Sequence, residues 1–116
     1  KFNEITKSID SFVKEHKKFT ALVSKAERIV NGKIYWKNSY GEKSLKEKMI
    51  QDYFFKMCSS LRFCEIALDK IVKNIELLQK HNIDYKCLIE PIESTIYELK
   101  KMTLSIKNLK ENYNGS

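Results

Sequence analysis

The sequence predicts an all-α protein made of long, antiparallel, coiled-coil-like helices. Its 116 residues include only 3 glycines and 1 proline, the residue types that most often interrupt helices, and 32% of the residues are charged. Apolar side chains recur at steps of three and four over most of the chain. That spacing places them on one face of each helix, as in a coiled coil.

The first helix is predicted over about residues 1–38. Its apolar frame, in which only His16 is polar, consists of Phe2, Ile5, Ile9, Phe12, His16, Phe19, Val23, Ala26 and Val30. The frame is lost between Asn31 and Glu42, where Gly32 and Gly41 occur. Because glycine inside a helix costs roughly 1 kcal/mol relative to alanine, this stretch is either a loop or a helix with a rotated apolar face.

Two further apolar frames follow. The second consists of Ile50, Phe54, Met57, Leu61, Cys64, Leu68, Ile71, Ile75 and Leu78. The third consists of Tyr85, Leu88, Ile92, Thr95, Leu99, Met102, Ile106, Leu109 and Tyr113. Additional apolar residues such as Phe55, Phe63 and Ile66 widen the second stripe, which predicts more than one helical neighbour for it.

The second and third frames share one register. Continued by steps of four and three, the second frame reaches Tyr85, Ile92, Leu99 and Ile106. We therefore expect one long helix over about residues 44–113, kinked at Pro91, because proline bends or ends a helix. The alternative is a compact three-helix bundle with a turn at residues 81–84, where Asn82 and Asp84 are each able to cap a new helix.

Length and composition indicate a single helical domain over residues 1–116, and the first and last residues suggest a segment of a longer protein. Basic residues outnumber acidic ones by 22 to 15, which favours anionic partners.

No apolar run approaches the roughly 18–20 residues that span a bilayer. Cys58, Cys64 and Cys87 lack the spacing of a disulfide framework or zinc motif, so a reduced, cytoplasmic setting is expected, with peripheral membrane association possible.

Catalytic constellations are not evident in the sequence. His16 occupies a heptad core position, where a structural or registry role is expected. Glu90 and Glu93 lie three apart on a helix, but no Glu-x-x-His motif accompanies them. Glycine-rich phosphate loops, nucleophile elbows and HExxH motifs are absent from the sequence. We expect no catalytic activity, no metal site and no cofactor.

Two groups of lysines are candidate lipid- or anion-binding residues: Lys14, Lys17 and Lys18 in the first helix, and Lys100, Lys101, Lys107 and Lys110 beyond the proline. The candidate dimer or core stripe consists of Phe12, Phe19, Ile50, Phe54, Leu61, Leu68 and Ile75.

The segment 32–40 interleaves Tyr35, Trp36 and Tyr40 with lysines. This segment is compatible with single-stranded nucleic acid, with a lipid interface or with packing against the second helix.

Residues 16–48 resemble the first helix of BAR-superfamily domains, in which a heptad run is followed by a small residue, an aromatic and a closing leucine. The element Leu88-Ile89-Glu90-Pro91-Ile92-Glu93 resembles the bend of the long second BAR helix. The lysine-rich stretch from Leu99 to Tyr113 resembles the distal arm of that helix. The chain departs from the family in lacking a third long helix and in having a compressed linker between the first two.

The resemblance implies a crescent-shaped antiparallel homodimer that binds curved, anionic membranes through basic residues, with a small GTPase as a possible partner. The first hypothesis is therefore a non-catalytic dimerisation module for anionic or curved membranes. The alternative is a helical-bundle scaffold or adaptor that docks a partner protein without binding lipid. Nucleic acid is the least favoured partner, since no recognised groove-entering basic motif is present.

Overall fold

The structure, a computed structural model, describes residues 2–31 and 42–115, and the side-chain surroundings of residues 3–31 and 48–113. Its helices are α1 (Phe2–Val30), α2 (Glu42–Lys80) and α3 (Lys86–Gly115). They form a rod of 65 × 20 × 16 Å with a radius of gyration of 18.3 Å. The predicted all-α class is confirmed, and the rod is more extended than a compact chain of this length, whose radius would be about 14 Å.

The prediction of one helix over residues 44–113 is wrong, because α2 ends at Lys80. The alternative of three helices with a turn at residues 81–84 is confirmed, although the bundle is an extended rod and not compact. Beyond Lys80, the Ile83 amide donates to the Leu78 carbonyl and the Asn82 amide donates to the Gln79 carbonyl. These two bonds form a Schellman motif, which requires a left-handed residue and usually uses glycine. Here Asn82 supplies it with a φ of 56°, because asparagine tolerates this region better than other non-glycine residues.

The start of α3 is also fixed by a local side-chain interaction. The Asp84 carboxylate accepts a hydrogen bond of 3.0 Å from the Lys86 amide, which is the contact made by an N-cap residue. The helix then runs through Pro91, whose carbonyl accepts a hydrogen bond of 2.9 Å from the Thr95 hydroxyl. Pro91 therefore does not end α3, and a kink there stays a prediction.

The predicted first helix is longer than the observed one. Helix α1 ends at Val30, with Asn31 in a turn, rather than at about residue 38. The glycine-containing stretch and the aromatic residues Tyr35, Trp36 and Tyr40 lie outside the described residues. Their predicted packing or ligand contacts therefore stay predictions.

The helices run up, down and up, so that α1 and α3 are parallel to each other and antiparallel to α2. Residues 9–16 of α1 line a cleft with residues 91–98 of α3, and residues 16–23 continue it with residues 98–105. In contrast, α2 runs in the reverse direction to α1: Cys64 Sγ donates to the Phe12 carbonyl, whereas Ile5, earlier in α1, packs with Ile71 and Leu78, later in α2. Helix α1 makes its most extensive contacts with α2.

Buried residues recur every seven positions in each helix. In α1 they include Ile5, Phe12, Phe19 and Ala26; in α2, Ile50, Met57, Cys64, Ile71 and Leu78; in α3, Thr95, Met102 and Leu109. Their periodicity confirms the predicted heptad frames, because a seven-residue repeat keeps one face of a helix toward its partners.

The predicted stripe is a core within one chain. Phe12, Phe19 and Ile50 are buried in the main cluster, and Phe54 and Leu61 pack against it. Ile75 packs in a second cluster near the turn, and Leu68 is half-buried. A homodimer would therefore have to use other surfaces, since these side chains are already covered by neighbouring helices of the same chain.

Candidate anion-binding face

A line of lysines runs along the exposed side of α1. Its members are Lys7, Lys14, Lys18 and Lys25, all exposed. Their spacings of seven, four and seven place them within a narrow arc, because successive helical residues are rotated by about 100°. From first to last the line extends about 27 Å at 1.5 Å per residue. Lys17, which was also predicted, lies about 60° round α1 from Lys14.

Part of this line meets α2 in a groove. Lys18 and Lys25 of α1 and Lys56 of α2 line it, together with Ser59, Ser60 and one acidic residue, Glu15. Three ammonium groups and neighbouring hydroxyls are suitable donors for phosphate or carboxylate oxygens. The groove therefore brings together basic side chains that are far apart in the sequence.

Two of these lysines already have partners on their own helices. Lys18 Nζ lies 3.4 Å from Glu15 Oε1, and Lys56 Nζ lies 3.0 Å from Asp52 Oδ2. Lys25 has no ion pair with any other described residue. Because exposed pairs of this kind contribute only about 0–1 kcal/mol, both paired lysines remain able to contact an external anion.

An aromatic side chain projects beside the lysines, since Phe63 lines the same groove and is 60% exposed. Phe55 is 73% exposed but lies about 100° round α2 from Lys56. Ile66, which is 39% exposed, lies within about 20° of Phe55 on the outer side of α2. We refer to Lys18, Lys25, Lys56 and Phe63 as the basic face. It combines positive charge with exposed apolar area, a combination found on surfaces that bind at membrane interfaces.

The predicted lysines of α3 do not share one face. Lys100 and Lys107 lie seven residues apart on one exposed line. Lys101 is directed elsewhere, with its Nζ 5.3 Å from the centre of the Tyr97 ring, and Lys110 Nζ lies 5.9 Å from the Phe54 ring. The structure divides this group among different sides of α3, and an anion-binding role for its members stays a prediction.

His16 lies in the cleft between α1 and α3. Its Nε2 is 3.1 Å from Glu98 Oε2, and its ring stacks on Phe12 with the two ring planes 9° apart. Both side chains of the pair are about 30% exposed. Here the histidine connects two helices at a heptad core position, which agrees with the structural role expected from the sequence.

The remaining candidate chemical groups are dispersed. Cys64 is buried, whereas Cys58 and Cys87 are exposed, and all three are free thiols. Burial, with smaller contributions from Glu15 and Glu65, raises the pKa of the Cys64 thiol to about 11, which makes it a poor nucleophile at neutral pH. Within the described ranges, no cluster of histidine, cysteine, aspartate and glutamate has the arrangement of a metal site.

Sequence reasoning missed Lys56 and Phe63 as site residues. The regular spacing from Lys7 to Lys25 was visible in the sequence as a polar counterpart of the apolar frame. The position of Lys56 and Phe63 beside that line depends on how α1 and α2 pair, which periodicity does not specify.

None of the described helices is both long enough and apolar enough to cross a membrane. Comparison of the chain with models of known families, with characterised proteins and with solved structures finds no match.

Proposed function

We propose that this chain is a non-catalytic helical module that binds anionic membrane surfaces through its basic face. The observation that carries the proposal is the convergence of Lys18, Lys25 and Lys56 on one groove with the exposed Phe63. Lysines attract anionic headgroups, while an aromatic ring is stabilised by partial insertion at the boundary of the acyl chains. Both contributions act on one membrane only if the lysines and the aromatic ring lie on the same side of the molecule, and the basic face has both.

Membrane binding by the basic face would depend on several contacts acting together, because each one contributes little free energy. Each lysine near an anionic membrane contributes about 1 kcal/mol. Three lysines and one inserted phenylalanine would therefore give weak, reversible, salt-dependent binding, and further lysines on the α1 line would strengthen it. A rigid helical pair supports this arrangement because the side chains are held on one face before binding, which lowers the entropic cost.

We also propose that the chain dimerises and that the dimer selects curved membranes. Both proposals rest on the resemblance to BAR domains. The resemblance implies an antiparallel dimer, and the main apolar stripes are already used within one chain. A dimer would have to join through outer surfaces. Its crescent would then favour membranes whose curvature matches its own. A small GTPase as a partner is likewise proposed from the resemblance to BAR domains alone.

The first experiment is co-sedimentation of the whole chain with vesicles. We expect binding to vesicles of phosphatidylcholine with phosphatidylserine, little binding to phosphatidylcholine alone, and a loss of binding as salt rises from 0.05 to about 0.5 M, where screening is strong. Vesicles of different diameters test curvature selectivity in the same format. Equal binding to both lipid compositions, or tighter binding to a DNA duplex at the same salt concentration, would contradict the proposal.

A second candidate function is docking of a partner protein without lipid. The observation that favours it is the exposure of apolar side chains away from the basic face, notably Val72 at 43% and Ile89 at 41%. Exposed apolar residues that cluster in a groove are typical of protein-binding surfaces.

A further inference from the structure

The groove between α2 and α3 near the turn differs in charge from the basic face. Its apolar lining consists of Ile71, Val72, Ile75, Ile89 and Ile92. Glu76 of α2 and Glu93 of α3 lie on opposite walls and are the only charged residues among the described residues that line it. We refer to this site as the α2–α3 groove.

The apolar lining of the groove is accessible. Val72 and Ile89 are each more than 40% exposed, while Ile75 and Ile92 are half-buried between the helices. At the end next to the turn, the Gln79 amide donates a 2.6 Å hydrogen bond to the Tyr85 hydroxyl, which links α2 to the residue that precedes α3. The groove extends over residues 72–79 of α2, about 10 Å or two helical turns.

The two glutamates are placed alike on the two walls. Glu76 follows Val72 by four residues, and Glu93 follows Ile89 by four, so each carboxylate lies one turn beyond an exposed apolar residue. Neither carboxylate forms an ion pair with another described residue. In contrast, Asp52, Glu65 and Asp69, which are also on α2, each pair with a basic residue one turn away.

From this arrangement we propose that the α2–α3 groove binds an amphipathic, basic helix of a partner protein. Apolar side chains at positions i, i+3 or i+4, and i+7 of that helix would contact Val72, Ile75, Ile89 and Ile92, as in other helix-in-groove complexes. Lysines or arginines beside those anchors would pair with Glu76 and Glu93. Charge complementarity thus selects a basic ligand over an acidic one. The inference rests on the docking candidate and is independent of membrane binding.

The test is a selection from a displayed library of randomised peptides of about 14 residues in a helix-favouring framework, long enough for anchors on two turns. The whole chain is the target, and peptides that bind a Val72→Asn/Ile89→Asn variant are removed first. We expect the enriched peptides to carry apolar residues at the anchor spacing and lysine or arginine beside them. A synthetic peptide from that set should lose at least about tenfold in affinity on Glu76→Lys/Glu93→Lys.

The charge-reversed target provides the decisive comparison. Selection against the Glu76→Lys/Glu93→Lys chain should enrich acidic peptides instead. Glu90→Lys, an exposed acid outside the groove, and Ile66→Asn, on the outer side of α2, are matched controls that should leave peptide affinity unchanged. Circular dichroism of every variant checks that the helices are retained.

Three outcomes would overturn the inference. One is an absence of enrichment over the Val72→Asn/Ile89→Asn chain. Another is enrichment of the same peptides by the original and the charge-reversed targets. The third is a homodimer, detected by sedimentation, that is abolished by Val72→Asn/Ile89→Asn, because a second copy would then occupy the groove. Loss of vesicle binding without loss of peptide binding would affect the membrane proposal alone.

Discussion

Nε2 of His16 on α1 and Oε2 of Glu98 on α3 lie 3.1 Å apart, and no other described basic and acidic side chains approach this closely across two helices. The ion pairs join residues three or four positions apart in one helix. Since α1 and α3 share fewer contacts than α1 and α2, we expect this pair to help align the third helix.

Removal of one partner should weaken the alignment. We expect Glu98→Ala to lower the free energy of unfolding by about 0.5–1 kcal/mol, because the pair is partly exposed. A double-mutant cycle with His16→Ala, followed by urea unfolding, isolates the pair from the stacking of His16 on Phe12. A coupling energy near zero would show that the two side chains are neighbours without a stabilising interaction.

The effect on stability of replacing Asn82 should depend on whether the new residue tolerates a left-handed backbone conformation. At φ 56°, Asn82→Gly should keep or raise stability, whereas Asn82→Val should cost about 1–2 kcal/mol because a β-branched residue clashes in this region. Thermal unfolding of both variants measures the difference. If valine is tolerated as well as glycine, the left-handed turn that separates α2 from α3 is not present in solution.

The Asp84 cap gives a separate test of the same turn. Asp84→Ala should lower stability by about 1 kcal/mol, since the Lys86 amide loses its acceptor, and Asp84→Asn or Asp84→Ser should recover most of it. Chemical denaturation of the three variants supplies the values. An unbroken helix through this segment would instead be stabilised by alanine, which has the higher helix propensity.

Thiol labelling should separate the three cysteines. In the native chain at neutral pH, Cys58 and Cys87 should react with iodoacetamide quickly and Cys64 slowly, because Cys64 is buried and its pKa is raised to about 11. All three should react in denaturant. Mass spectrometry of the labelled peptides identifies the sites, and rapid native labelling of Cys64 would contradict the packing of this core layer.

Because of the Cys64 thiol, we expect the free energy of unfolding to depend on pH in the alkaline range. The pKa of this thiol is higher in the folded chain, about 11, than its ordinary value of 9.0. Between these values the unfolded thiol loses its proton while the folded one keeps it, so the free energy of unfolding should fall as pH rises from 9 to 11. Cys64→Ala, the control, should show a shallower decrease over this range.

Two positions on α2 should separate effects on stability from effects on binding. Met57 is fully buried and Phe63 is 60% exposed. We expect Met57→Ala to cost about 2–5 kcal/mol through lost packing. Phe63→Ser should change stability little but weaken binding to anionic vesicles. Calorimetry and co-sedimentation of both variants distinguish the two roles, and a stability loss on Phe63→Ser would place that ring in the core.

The buried positions were predictable because a heptad repeat determines which side of a helix is covered. Phe12, Met57 and Met102 are core residues both in the sequence frames and in the structure. The end of α2 was predicted only as the alternative, a turn at residues 81–84, since Leu78 and Tyr85 lie seven residues apart and pack in the same cluster across the turn. A turn that preserves the register cannot be distinguished from a continuous helix by periodicity. The informative residue was Asn82, which replaces the glycine that such turns usually contain.

The surface groupings were less predictable, because they depend on which helices are neighbours and on their rotation. Lys100 and Lys101 are adjacent in sequence, yet α3 directs them to different sides. Conversely, Lys25 and Lys56 are separated by 31 positions and line one groove. Composition indicated a preference for anionic partners, while the location of the basic face followed from tertiary packing.

The most direct test of the membrane proposal compares two charge-matched variants of the whole chain. Lys18→Glu/Lys25→Glu changes the basic face, and Lys100→Glu/Lys107→Glu makes the same change in net charge on α3. We measure their binding to phosphatidylserine-containing vesicles by co-sedimentation at about 0.1 M salt, where the Debye length is about 10 Å. The proposal predicts a large loss of binding for the first variant and a small one for the second. Equal losses, or a greater loss for the α3 variant, would contradict it.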